Sequence, residues 1–281
     1  MDILPYLNLG CGTQFSPQWT NVDFSKTGDG VVVHNLLEGI PFGDNTFEVV
    51  YHSHVLEHFT KDDAIKYIAE CYRVLKPNGI IRIAVPDLEQ IVNNYNRLLT
   101  SGKADPDNKR IRADYDWIMT EMYDQAVRNR NGGEMLKYLS AKTLENEDFV
   151  LQRIGHVGYM IRQSSIQPKN EHRIRTPLLK KLFGKIKGMT SLKKYKDLFL
   201  KSLFSQEYKL IQLGRFRQSG EIHQWMYDIY SLRNLLKDAG FKNIEQKDFD
   251  KSQIPDWRSF SLDEVNNTIR KPDSLFVEAT K

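Results

Sequence analysis

The chain opens on a short apolar run, ILPYLNL (3–9), and the pattern recurs at 19–24 (WTNVDF), 31–33 (VVV) and 47–51 (FEVVY). Short apolar runs between polar breaks predict strands. From Lys61 to Leu75 the period changes. Ala64, Ile65, Ile68, Cys71, Tyr72 and Leu75 recur at three- and four-residue spacing, one apolar helical face, and Pro77-Asn78-Gly79 stops it. IIRIAV (80–85) follows as a fifth strand. Strands that alternate with helices and are apolar on both sides imply a parallel sheet covered on both faces, an α/β doubly wound domain.

After Pro86-Asp87 the strand pattern gives way, from about Leu88 to Gln218, to helical periodicity, a Gly-Gly pair at 132 and 133, and many charges. Alternation then returns. YDIYSLRNLLKDAGF (227–241) predicts an amphipathic helix ended by Gly240, followed by strands near 242–248 and 274–279 that complete the same sheet. The predicted organisation is a sheet core in two parts, residues 1–101 and 219–281, interrupted by a helical insertion at 102–218 that serves as a cap or substrate region.

Charge sharpens this division. The 281 residues carry a net +4, yet residues 1–101 hold 7 Lys/Arg against 12 Asp/Glu, leaving about +9 for the remainder. Most of the excess lies between Arg153 and Arg217, with 16 basic residues against 3 acidic ones. Within it Leu178, Leu179, Leu182, Phe183 and Ile186 form an apolar stripe, with Lys180, Lys181, Lys185 and Lys187 on other faces. Such a helix reads as a lid with solvated lysines, as a clamp for an anionic small-molecule substrate, or as a peripheral contact with an anionic membrane surface. The lysines lack interleaved aromatics, and no reader motif appears, which speaks against sequence-specific nucleic-acid binding. Cys11 and Cys71 lack CxxC spacing, so neither a disulfide framework nor a cysteine zinc site is expected. With no leader pattern and no run near the ~18 apolar residues of a membrane span, the expected compartment is a reducing, cytoplasmic one. Oligomeric state has no sequence signal.

The candidate chemistry sits at the carboxyl end of the first strand, where Leu9-Gly10-Cys11-Gly12-Thr13 forms a glycine turn. Open α/β sheets bind ligands at such a point, and glycine lets the backbone approach them. Phe15 occupies the third glycine position of the dinucleotide fingerprint, which counts against a nicotinamide cofactor. The second strand ends in Asp23, placed to accept the hydroxyl protons of a ribose.

These segments, LNLGCG, WTNVD, IPFGDNTFEVVYHSHVLEH and YRVLKPNGIIRIAVPD, together with HQWMYDIYSLRNLLKDAGF, resemble the class I S-adenosylmethionine (SAM) dependent methyltransferases, in the branch known as methyltransferase type 11. The resemblance covers roughly residues 3–90 and resumes over 220–281. It implies a Rossmann-like, seven-stranded, mostly parallel sheet and SAM as cofactor. It further implies that Gly10, Cys11 and Gly12 line the methionine and ribose portion and that Asp23 binds the ribose hydroxyls. Phe24 would flank the adenine, Asn35 and Leu36 meet its amine and ring edge, and Ser53 and His54 lie beside the sulfonium. Two departures stand out: Asn8 occupies a position that is frequently acidic, and the short span from Gly12 to Asp23 leaves room only for a stub of a first helix.

Further candidates carry their own bland readings. His54-Val55-Leu56-Glu57-His58 matches HxxEH, a zinc-protease pattern, but with no identifiable downstream ligand it is read as accidental, and no metal is expected. Glu57 and His58 then cap a helix start. In GEIHQWMYD (220–228), His223 is a candidate general base for a hydroxyl acceptor because an unperturbed imidazole titrates near 6.5. Trp225 and Tyr227 are candidate substrate contacts, as is His156 in the glycine-flanked IGHVGYM; core packing or a plain loop explains the same residues. The reaction expected is in-line methyl transfer to a small or medium acceptor, such as an anionic sugar or glycan precursor. Methyl transfer at a membrane surface or on nucleic acid, and a non-catalytic SAM-binding module, are the alternatives.

Overall fold

The computed structural model describes residues 3–166, 201 and 203–281. The basic stripe at 178–187 lies outside the described residues. Five parallel strands form first: β1 (Tyr6–Leu9), β2 (Thr20–Asp23), β3 (Val31–Val33), β4 (Phe47–Ser53) and β5 (Leu75–Pro86). Helix α1 (Lys61–Val74) connects β4 to β5; Thr60 caps it by accepting from the Asp63 N–H. It buries Ala64, Tyr67, Ile68, Cys71 and Val74 against the sheet. Ile65, expected on that face, is 53% exposed, and Tyr67 takes the buried position instead. The apolar spacing fits both residues, and contact with the sheet selects the narrower stripe.

Helices α2 (Leu88–Ala104), α3 (Lys109–Val127), α4 (Gly133–Leu139), α5 (Glu147–Ile166) and α6 (Ser205–Arg217) form the insertion. The expected boundary at 101 falls inside α2, so the excursion begins at Asp87, which caps that helix through the Glu89 N–H. The insertion has its own core, built on Ile91, Leu98, Trp117, Ile118, Leu139, Val150 and Ile154. Its ends meet, because the Leu88 N–H donates to the Tyr227 carbonyl at 2.9 Å.

The chain then re-enters the sheet through α7 (Ile229–Asp238), β6 (Lys242–Lys247), the small hairpin β7 (Glu264–Val265) and β8 (Thr268–Ile269), and β9 (Ser274–Thr280). The main sheet has seven strands in the order β3-β2-β1-β4-β5-β9-β6, with β9 antiparallel to both neighbours. This is the expected Rossmann-like fold. Among the described residues no helix is long and apolar enough to cross a membrane.

The interior of β5 contains Arg82, fully buried. Its Nε donates to Asp263 at 2.9 Å and its Nη1 to Glu278 at 2.8 Å. The remaining N–H groups reach the carbonyls of Lys251, Asp248 and Phe249, and the guanidinium lies 4.4 Å from the Trp257 ring centroid. All five donors are thus engaged. Truncating a buried pair's cation strands its carboxylates, so Arg82→Met should cost about 3–5 kcal/mol in urea unfolding at neutral pH. The loss should shrink as acid protonates Asp263, whose carboxyl burial already pushes up; a loss that is small at neutral pH, or independent of pH, would mean that the guanidinium does not balance the buried carboxylates.

Candidate active site

The strand order reverses at β1, which pairs in parallel with β2 on one side and β4 on the other. Loops leaving the carboxyl ends of such strands diverge and open a crevice. The glycine turn enters it. Gly10 and Gly12 have φ of +62° and +52°, in the left-handed region, and a Cβ on Gly10 would meet Val55 Cγ2 at 2.4 Å. Nothing lies within 4 Å of a Cβ built on Gly12, so that side of the turn is open. No helix stub follows: residues between Gly12 and Thr20 form turns, tied down by the Cys11 N–H to the Val22 carbonyl at 3.1 Å.

Asp23 accepts the Gly12 N–H at 2.8 Å through one oxygen, and the Ser25 N–H at 2.9 Å through the other. Its carboxylate is therefore oriented across the glycine turn before any ligand arrives. Phe24 beside it is 71% exposed, an aromatic face open to stacking. Asn35 caps a 3-10 turn (Leu36–Glu38), accepting the Leu37 N–H at 3.2 Å and donating to Glu38 at 3.1 Å, with Leu36 half-buried next to it.

A cavity of about 230 Å³ adjoins the turn, and Gly10, Cys11, Gly12, Ser53 and His54 all line it. The structure adds Arg270 and Lys271 from the far end of the chain, which sequence reasoning missed. Only their place just before a C-terminal strand could have hinted at them. Arg270 reaches Ser53 Oγ at 3.4 Å, and the His156 N–H donates to the Arg270 carbonyl at 3.2 Å. The His156 backbone is thus tied to that of Arg270, while His156 does not line the cavity. It follows a kink inside α5 rather than a loop turn, because Gly155 (φ +57°) packs against Arg270 and Pro272 where a Cβ would not fit. Asn8 turns its amide to Asn21 at 3.2 Å and to the Gln14 carbonyl at 3.3 Å, so this frequently acidic position offers no carboxylate. Burial pushes the Cys11 thiol up to about 11, which keeps it protonated.

Behind His54 lies a second constellation. His54 has φ +55°, which is costly for a residue with a side chain, and its Nε2 meets Ser274 Oγ at 2.8 Å. Its Nδ1 is 3.1 Å from Glu57. Glu57 is fully buried in a 3-10 turn (Leu56–His58), and neither carboxylate oxygen has an aligned hydrogen-bond partner among the described residues. Burial pushes its pKa up to about 8. His58 and His223 stand edge to face with centroids 4.8 Å apart. The expectation that His223 titrates near 6.5 fails here: burial pushes it down to about 2, leaving a neutral, weakly basic ring. His223 also lines a small cavity with Glu121, Gln125, Met226 and Asp273.

The other two expected substrate contacts go elsewhere. Trp225 is 43% exposed in a groove between α1 and α7, with the Lys61 ammonium 5.4 Å from its ring centroid. Tyr227 packs into the main core.

The strand order is that of a Rossmann-like sheet, with the glycine crevice at its switch point. Within this chain, residues 7–83 match the family described as "Methyltransferase domain", so that segment is similar to SAM-dependent methyltransferase domains. A curated relative, "Probable methyltransferase ltbC" of Aspergillus luteorubrus, is 40% identical over 60 residues, which is 20% of this chain and 21% of that protein. The chain thus matches about a fifth of that relative's length. Among solved structures, a SAM dependent methyltransferase from Archaeoglobus fulgidus aligns over 100% of this chain and 87% of its own, at 11% identity and TM-score 0.40. The PH0226 protein from Pyrococcus horikoshii aligns over 34% and 55%, at 20% identity and TM-score 0.27. These two likenesses add nothing to what the sheet itself shows.

Gly10→Ala tests the turn. Left-handed backbone costs an alanine about 1–2 kcal/mol, and the clash with Val55 adds to it. Thermal unfolding should show both costs. Adding Val55→Ala should recover only the steric part, and full recovery would mean that the backbone is not constrained.

Proposed function

We propose that the protein transfers a methyl group from SAM to an oxygen or nitrogen of a small or medium acceptor. The observation that carries this reading is the Asp23 carboxylate held across the Gly10–Gly12 turn at the sheet's switch point, beside an exposed Phe24. These residues fit a nucleoside: an oriented acceptor for the ribose hydroxyls, an aromatic face for the base, and backbone with open space where a side chain would intrude.

When bound there, SAM supplies an activated methyl group on a positively charged sulfur. The chain's part is alignment and exclusion of water, which together account for most of what such a displacement asks of a protein. In this reading Ser53 and His54, which line the cavity, take the methionine end, Asn35 and Leu36, outside that lining, take the adenine end, and Arg270 and Lys271 in the same cavity would pair with a carboxylate. His156 lies outside that lining, its backbone tied to Arg270. His223 lines a second cavity of only about 20 Å³. The anionic character proposed for the acceptor, as in a sugar or glycan precursor, rests on the basic excess of residues 153–217.

Calorimetric titration with SAM, S-adenosylhomocysteine and NAD tests the reading. Both sulfur nucleosides should bind saturably, NAD should not, and Asp23→Ala should abolish binding while leaving the circular dichroism spectrum unchanged. Failure of both sulfur nucleosides to bind would overturn the assignment. Binding without methylated product across an acceptor screen would instead favour a sensing module.

A further inference from the structure

We propose that Glu57, His58 and His223 form a binding site for one divalent transition-metal ion of the zinc class, set between the glycine cavity and the second cavity. Each residue offers one ligand atom, and these atoms lie within 4.8 Å of one another. Tetrahedral zinc with bonds of ~2.0–2.1 Å needs ligand atoms about 3.4 Å apart, so modest side-chain rotation closes the site. Glu57 and His223 are already 3.9 Å apart.

Three further observations point to a cation. A fully buried carboxylate that has His54 Nδ1 at 3.1 Å but no aligned hydrogen bond to either oxygen among the described residues is costly, and a metal ion would satisfy it. His58 Nδ1 lies 3.0 Å from the Ile222 carbonyl; donating there fixes the tautomer and leaves Nε2 with its lone pair free. That backbone anchor is the usual second contact of a metal-binding histidine. Of the nearby cations, Arg128 is already balanced by Asp124 at 2.9 Å and Glu221 at 3.1 Å, and the buried Lys271 is shared between Asp273 and Glu57.

Two imidazoles and one carboxylate suit zinc and its first-row neighbours, whereas magnesium and calcium prefer oxygen ligands. Three protein ligands leave a position for water or an acceptor oxygen. The ligand set is not that of the HxxEH pattern: Glu57 and His58 belong to it, His54 does not take part, and the fold brings His223 from the far side of the insertion.

The test uses the full chain, stripped with chelator and titrated with Co²⁺ as a spectroscopic probe, then with Zn²⁺ and Mg²⁺ as competitors. One equivalent of Co²⁺ should produce the intense visible bands of a low-coordinate ion, displaced by Zn²⁺ and not by Mg²⁺. Loss of an outer contact alone costs metal sites about 10–100-fold in affinity. His223→Ala and the near-isosteric Glu57→Gln should each weaken binding by at least about tenfold, with circular dichroism confirming that the variants fold. An absent or unsaturable spectrum, or one unchanged in both folded variants, would overturn the proposal. SAM titration of the same metal-free protein reports separately on the cofactor reading, so the two can fail independently.

Discussion

One guanidinium in the sheet interior holds the end of the chain where the site needs it. Removing Arg82 from water is expensive, and the expense is offset because two carboxylates, three carbonyls and an aromatic face converge on it. Those partners come from the segment between β6 and β7 and from β9. Asp263, fixed in this way and by the Tyr51 hydroxyl at 2.6 Å, accepts the Arg270 N–H through its own carbonyl at 2.9 Å. Arg270 and Lys271 thereby reach a cavity formed by the first strand. An interaction that looks purely structural thus brings two basic residues to the crevice beside the glycine turn.

The crevice concentrates left-handed backbone, which is free for glycine and costly only at His54. Gly10, Gly12 and His54 all have positive φ, and they sit at the ends of β1 and β4, the two strands that flank the opening. Val55 occupies the volume that a side chain on Gly10 would need, so the two loops fit only because one of them has no Cβ. For His54 the cost is borne by contacts on both sides, its N–H to the Ala84 carbonyl at 2.8 Å and its ring to Ser274. Strain held in place by surrounding contacts is the pattern expected where a site is organised before its ligand binds.

What the sequence showed depends on how far apart the cooperating residues lie. β1, the glycine turn and Asp23 fall within one short stretch, and their local chemistry dictates their arrangement, so they could be read directly. The alternation of strands and helices exposed the sheet and its interruption for the same reason. Periodicity could not choose between Ile65 and Tyr67 for the buried face of α1, because that choice belongs to the sheet opposite. Nor could it show that Gly155 kinks a helix, since the cause is contact with Arg270 and Pro272 more than a hundred positions away. Trp225 and Tyr227 read alike as aromatics near a site, yet one lies in an outer groove and the other in the core.

His223 shows most clearly why distance hides a site, and also how the fold recovers it. The insertion leaves the sheet at Asp87 and returns at Tyr227, and its two ends are joined by main-chain bonds. On the way back, residues 222–225 are stitched to the turn after β4. The Glu57 carbonyl accepts the N–H groups of Gln224 at 2.7 Å and Trp225 at 3.2 Å, and the Gln224 amide donates to the His58 carbonyl at 3.0 Å. With the Ile222 carbonyl holding His58, the backbone between these contacts has little freedom. His223 must then stand against Glu57 and His58, whatever the length or composition of the helices in between. The geometry of the histidine and glutamate cluster is thus fixed by a few backbone bonds at the root of the insertion.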